Sequence, residues 1–166
     1  MDALSHAHIT ILSDEDLSFE GKPMDQMALD RIIGLSQYTV LTRSKSGSDV
    51  YERNKGLIAH ANIFKLQENE VKDLTGAGDT YAAGFISRYE ETGNLKEAAV
   101  FASLYSSLKI MTIQGEGSGM KAAPKPETIQ AFVNNNPERF AEFLKDNELT
   151  SLPVLIEGNN RPQEKR

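Results

Sequence analysis

The chain has 166 residues, with 39% hydrophobic and 25% charged side chains, enough for one domain with a packed core. Lys and Arg number 18 against 24 Asp and Glu, and the net charge of −6 argues against a general nucleic-acid surface. The absence of cysteine excludes disulfides and thiolate metal sites, and no apolar run is long enough to cross a bilayer. The opening Met-Asp-Ala-Leu-Ser-His lacks the basic start and apolar core of a signal peptide, so the cytoplasm is the expected compartment. His6, His8 and His60 have no partner at metal-ligand spacing.

Residues 9–12 are a short β-branched run that predicts a buried strand, ending at the acidic cluster Ser13-Asp14-Glu15-Asp16. Pro23 suits the first turn of a helix over 24–35, with Met27, Ala28, Ile32 and Leu35 on one side. The β-prone run 38–42 follows, and strand, helix, strand in that order implies a right-handed crossover and a parallel sheet. A Ser-rich turn, Thr42-Arg43-Ser44-Lys45-Ser46-Gly47, comes next. Residues 49–53 and 57–61, joined through Asn54-Lys55-Gly56, read as a β-hairpin.

The stretch 71–85 reads Val-Lys-Asp-Leu-Thr-Gly-Ala-Gly-Asp-Thr-Tyr-Ala-Ala-Gly-Phe. Glycines at its centre let the backbone turn tightly and approach a ligand closely. The helix that follows opens with unpartnered N–H groups and partial positive charge, a place where phosphate is stabilised. A carboxylate beside that anion site does not help bind phosphate. Asp79 is therefore either a helix N-cap or an acceptor for the proton of an attacking hydroxyl.

Beyond Asp79, Tyr81, Ala82, Phe85, Ile86 and Tyr89 recur at helical spacing as far as Gly93, a C-terminal stop. Asn94 with Glu97 predicts a capping box for a second helix, whose apolar face is Leu95, Ala98, Ala99, Ala102, Tyr105 and Leu108. A Gly-rich loop over 112–119 comes next, then a helix over 126–133. Asn136 and Pro137 start another, with Phe140, Phe143 and Leu144 as its apolar stripe. The organisation expected is one α/β domain over 1–150 and a flexible tail over 151–166.

Asp73, Thr75, Gly76, Ala77, Gly78, Asp79 and the aromatic Tyr81 fall in register with Asp-Thr-Thr-Gly-Ala-Gly-Asp and its following aromatic. The chain thus resembles the ribokinase-like (PfkB) carbohydrate kinases, with Leu74 in place of a frequent Thr. The resemblance covers about 9–121 and only the C-terminal portion of such a kinase. It implies a mainly parallel sheet flanked by helices, equivalent to the C-terminal nucleotide-binding part of the ribokinase fold. It also implies ATP-dependent phosphoryl transfer to a small hydroxylated substrate, a sugar above all, with Asp79 as base and the N–H groups of Gly76, Ala77 and Gly78 as anion hole.

Other positions acquire roles by the same resemblance. Thr42, Ser44 and Gly47 stand where Thr-x-Gly-x-x-Gly lines the nucleotide phosphates, with Ser44 replacing a glycine. Thr75, Ser103 and Gly115 fall near the nucleotide, although Ser103 also reads as a helix-surface serine. Ser13 and Asp16 stand where Asn-x-x-Glu organises magnesium, and Asp73 with carbonyls of 115–118 stands where a monovalent cation such as potassium is held. The family's N-terminal half has no counterpart here, so an exposed sheet face and edge should bind that half or drive self-association. Substitutions at Ser13, Asp16 and Ser44 also suit a degenerate, non-catalytic nucleotide-binding module. A dinucleotide-binding oxidoreductase fits poorly, because Tyr81 occupies the place of the third glycine of G-x-G-x-x-G.

Overall fold

The computed structural model describes residues 2–111 and 123–154. After a short helix α1 (Asp2–Ser5), β1 (Ile9–Ser13) runs parallel to β2 (Tyr38–Thr42), with α2 (Gln26–Leu35) in the crossover. Asp25 caps α2, its Oδ1 accepting from the Ala28 N–H at 3.1 Å, so the helix starts later than residue 24. Leu29 is its buried residue, and Met27, expected inward, is 83% exposed.

β3 (Ser48–Glu52) and β4 (Gly56–Ala61) continue the sheet in the order β1-β2-β3-β4. β2–β3 and β3–β4 are both antiparallel, which corrects the expectation of a mainly parallel sheet. The reason is local. Residues 43–47 are too few for a parallel crossover, which needs about a dozen or more, and they form a tight turn with Arg43 N–H donating to Gly47 O at 2.8 Å. Gly47 has φ +83°, and a Cβ there would lie 2.1 Å from the Ala61 carbonyl oxygen. Only glycine fits.

α3 (Ala77–Thr92) and α4 (Leu95–Ile110) pack as an antiparallel pair over one sheet face. A Cβ on Gly84 would meet Tyr105 Cδ1 at 2.8 Å, so the missing side chain permits the close approach of the two helices. Val40, Val50 and Ala61 from the sheet bury against Tyr81, Phe85, Phe101 and Leu104. Each such large side chain, fully buried, contributes about 1.5–3 kcal/mol. On the opposite face Leu41, alternating with Val40, is also buried.

Gly93 ends α3 in the left-handed region, its N–H donating to Tyr89 O at 2.8 Å, as expected. Only half of the expected capping box forms at α4. Asn94 Oδ1 accepts from Glu97 N–H at 3.1 Å, but the Asn94 N–H goes to Thr92 Oγ1. Glu97 instead lies 3.9 Å from buried Arg88.

α5 (Pro126–Asn135) runs two residues beyond the expected 133, and α6 (Pro137–Asp146) follows directly. The Asn136 side chain does not cap α6; its Nδ2 donates back to Phe132 O at 2.9 Å. Phe64 packs edge to face on Phe132 and Phe143, both at 5.4 Å between ring centroids. Packing also runs past the expected boundary at 150, because Leu152 and Val154 are buried in the core. The rest of the expected tail, 155–166, lies outside the described residues. No helix among the described residues is long and apolar enough to cross a membrane.

Candidate active site

The approach to the signature is pinned at three places. In the turn over Glu68–Glu70, the Gln67 N–H donates to Glu70 Oε2 at 2.7 Å. Arg139 of α6 donates to both oxygens of Glu70, at 2.8 and 2.9 Å, and those bonds hold the Glu70 carboxyl below its ordinary range. The N–H groups of Lys72 and Asp73 then both donate to Ile110 O, at 3.0 and 3.1 Å, docking the strap on the end of α4.

The turn itself follows from Asp73. Its Oδ1 accepts from the Thr75 N–H at 2.9 Å, an Asx turn that reverses the chain before Gly76. Gly76 takes φ +75°, ψ +11° as N-cap of α3. Asp79 is thus in the first turn rather than at the N-cap, which closes the helix-cap reading of that residue. Its side chain is exposed and makes no hydrogen bond or ion pair among the described residues. Thr80 binds the Gly76 carbonyl twice, through N–H at 2.9 Å and Oγ1 at 2.8 Å. Ser106 of α4 donates to Ala77 O at 2.9 Å, a brace that sequence reading missed.

The amides sort differently from expectation. The Ala77 N–H is committed to Leu74 O at 3.2 Å, because the left-handed Gly76 folds the chain back on itself. The N–H groups of Gly76, Gly78 and Asp79 donate to no backbone carbonyl among the described residues. A Cβ on Gly78 would meet nothing within 4 Å among the described residues.

Tyr81 Oη lies 2.7 Å from Ser48 Oγ, tying the start of α3 to the residue after Gly47. The Thr42–Gly47 turn therefore shares one end of the sheet with the signature, at the carboxyl ends of β1 and β2, where ligands of α/β sheets bind. Asp14 N–H donates to Thr42 O at 3.0 Å, which brings the acidic cluster to the same end. Ser44 takes φ +47°, adopting the left-handed conformation for which a glycine would be cheaper. The Gly47 N–H is used inside the turn, on Ser44 O at 3.3 Å.

Asp16 and Ser13 bond each other reciprocally, Ser13 N–H to Asp16 Oδ2 at 2.8 Å and Asp16 N–H to Ser13 Oγ at 3.2 Å. No group of three or more ligating side chains gathers among the described residues. Ser103 is 5% exposed, so it is not a helix-surface serine. Thr75 is exposed beside the turn, and Gly115 lies outside the described residues.

Sequence reading also passed over Lys109. It is 1% exposed, and its Nζ stands 3.7 Å from Asp73 Oδ2 with no hydrogen-bond partner among the described residues. The available signal was a lysine on the inward stripe of Ala98, Ala102 and Tyr105. A second cluster, Arg43, Asp49, Tyr51 and His60, lies on β3 and its neighbours. Arg43 Nη2 is 2.9 Å and His60 Nδ1 2.7 Å from the Asp49 carboxylate. An open concavity of about 550 Å³ along β4, lined by Leu57, His60, Lys96 and Glu148 among others, holds none of the signature residues.

Three comparisons bear on this geometry. Residues 1–121 match the pfkB family carbohydrate kinases. A curated relative, the bifunctional protein HldE of a Nitratiruptor species, is 30% identical over 116 residues, covering 70% of this chain and 23% of its own. Aminoimidazole riboside kinase from Salmonella enterica, solved with aminoimidazole riboside and an ATP analog, superposes with TM-score 0.64 at 21% identity, covering 79% of this chain and 43% of that one. Arabidopsis thaliana ribokinase, solved with ribose and ATP, gives TM-score 0.62 at 22% identity, covering 78% and 42%. The chain therefore has the ribokinase-like α/β fold and spans less than half the length of these relatives. With the family matched over most of its length, this chain belongs to the pfkB family of carbohydrate kinases.

Proposed function

We propose that this chain is the C-terminal, nucleotide-binding part of an ATP-dependent kinase that phosphorylates a hydroxyl of a small molecule, a sugar in the first place. The observation that carries the reading is the pairing, among the described residues, of open amides at Gly78 and Asp79 with an exposed, uncommitted Asp79 carboxylate. Asp79 takes the proton as the acceptor hydroxyl attacks the γ-phosphorus. The bond from that phosphorus to the β–γ bridging oxygen breaks, and ADP leaves. The N–H groups of Gly76, Gly78 and Asp79 hold charge building on the transferred group, the kind of electrostatic stabilisation that dominates such reactions.

Thr42, Ser44, Gly47 and Thr75 line the phosphates, with Ser103 beneath the nucleotide. Magnesium would accompany ATP, held largely by phosphate oxygens and water, since Asp16 is already engaged with Ser13. The cytoplasm, which supplies ATP, is the proposed compartment.

The partner is the family's other half, or a second copy in its absence. Every residue of β1 is only half-buried, and one edge of that strand is unpaired among the described residues. Its open N–H and C=O groups are a template for another strand. Sedimentation at micromolar concentration should show association, and a clean monomer that ignores the missing half would remove this part of the proposal.

A non-catalytic nucleotide-binding module is the second reading, favoured by the mutual Ser13–Asp16 bonds and the strained Ser44. Asp79→Asn in the complete protein decides between them. The kinase requires turnover to drop by about 10²–10⁴-fold, the usual contribution of a general base, with ATP affinity retained. Unchanged turnover removes Asp79 from the mechanism. ATP binding by the unmutated protein with no phosphorylation of sugars, nucleosides or alcohols establishes the module.

A further inference from the structure

The pfkB resemblance places a monovalent cation beside Asp73, and the side chains here do not suit one. Asp73 is anchored on both carboxylate oxygens. Oδ1 accepts from the Thr75 N–H at 2.9 Å, and Oδ2 faces the Lys109 ammonium at 3.7 Å. Lys109 is 1% exposed, and its Nζ has no hydrogen-bond partner among the described residues. A buried ammonium is tolerated only when a carboxylate offsets its lost hydration. A free cation drawn to the same carboxylate would stand against a fixed positive charge, and the two repel.

We infer that the Lys109 ammonium is a built-in cation, taking beside Asp73 the place that a free potassium ion would otherwise fill. An ammonium and a potassium ion match in charge and are close in size, so one can neutralise the same carboxylate as the other. The helix supplies the difference. Lys109 is in the last turn of α4, one residue before the Ile110 carbonyl that receives the N–H groups of Lys72 and Asp73. Helix end, strap and carboxylate are thus locked together. From Asp73 the lock passes through the Asx turn to Gly76 and the open amides of Gly78 and Asp79. Lys109 is a positioning residue for the anion loop, covalently supplied and independent of the salt around it.

The functional consequence rests on the proposed kinase reading, but the cation replacement does not. Two measurements on the full chain keep them apart. The first is the unfolding midpoint at constant ionic strength in potassium, sodium or choline chloride. The second is ATP affinity in the same series. The wild type should show one midpoint in all three salts and ATP affinity equal within about twofold. Lys109→Ala, which opens space for an ion, should have a lower midpoint and weaker ATP binding. Potassium, and not choline, should restore both, with a coupling in the usual range of about 5–150-fold. Lys109→Arg should keep the wild-type indifference.

A saturable, potassium-specific rise in the wild-type midpoint overturns the inference. So does Lys109→Ala behaving as wild type, or losing stability with no response to potassium. If Lys109→Ala does not fold in any salt, Lys109→Ala combined with Asp73→Asn should fold and ignore potassium; a potassium response in that pair also overturns it. If the wild type binds no ATP at all, the kinase reading falls while the midpoint series still decides the role of Lys109.

Discussion

Tyr81 Oη and Ser48 Oγ lie 2.7 Å apart, both buried, and join the second turn of the signature helix to the first residue of β3. Burial pushes the Tyr81 hydroxyl well above its ordinary range, with the Ser48 bond opposing in part. Tyr81→Phe leaves Ser48 Oγ buried without this partner and should cost about 1–3 kcal/mol, read from urea midpoints. Tyr81→Phe with Ser48→Ala should cost less than the sum of the singles; strict additivity would show that the bond contributes nothing. The raised folded value also sets a sign at high pH. Its stabilisation is complete below the unfolded phenol value of about 10 and is lost as pH climbs toward the folded one. Tyr81→Phe should flatten that alkaline limb.

Gly47 and Gly78 should respond oppositely to alanine. At Gly47 the new Cβ would meet Ala61 O at 2.1 Å with φ +83°, whereas at Gly78 it meets nothing within 4 Å among the described residues and φ is not positive. Gly47→Ala should lose at least about 2 kcal/mol through strain and collision, and Gly78→Ala should gain slightly from helix propensity, by at most about 1 kcal/mol. Thermal midpoints of the two variants test this. A tolerated Gly47→Ala would mean that the turn can open.

The Glu70–Arg139 clamp predicts a small acid-sensitive term. Glu70 is held below its unfolded value, so its contribution is present above about pH 4.3 and is lost as pH falls through the lower folded value. A partly exposed pair of this kind contributes about 0.2–1 kcal/mol. Glu70→Gln should lower the urea midpoint at neutral pH and converge with the wild type in strong acid. Parallel curves at every pH would remove the clamp from the account.

Arg88 should be the most costly charge to remove. It is 2% exposed, stacks its guanidinium 4.5 Å over Phe101, bonds Glu91 Oε2 at 2.9 Å and donates to the Pro153 carbonyl. Arg88→Leu strips these partners together and leaves Glu97 Oε1 buried without its nearby charge. A loss of about 3–5 kcal/mol is expected, with proteolysis after residue 150 rising as the anchor for Leu152 and Val154 goes. A midpoint within about 0.5 kcal/mol of wild type would contradict it.

Local chemistry was legible from the sequence by itself. Two glycines around Ala77, a β-prone run at 38–42, Gly93 after a periodic stretch and Pro137 behind Asn136 each dictate a nearby conformation, and each element formed there. The signature was legible for the same reason, since the turn from Asp73 to Gly76 and the helix start after it are written in contiguous residues. Long-range pairing decided the rest. The direction of β3 depended on how few residues separate it from β2 and on the close approach of Gly47 to Ala61. Which amides stay open depended on the left-handed Gly76 committing Ala77 to Leu74. Met27 faces solvent because α2 turns Leu29 inward, a rotation that helical periodicity alone leaves free. Lys109 meets Asp73 only because the strap doubles back onto the end of α4. A charge facing a charge across that distance in sequence has no local signature; only the packing that excludes water brings the two together.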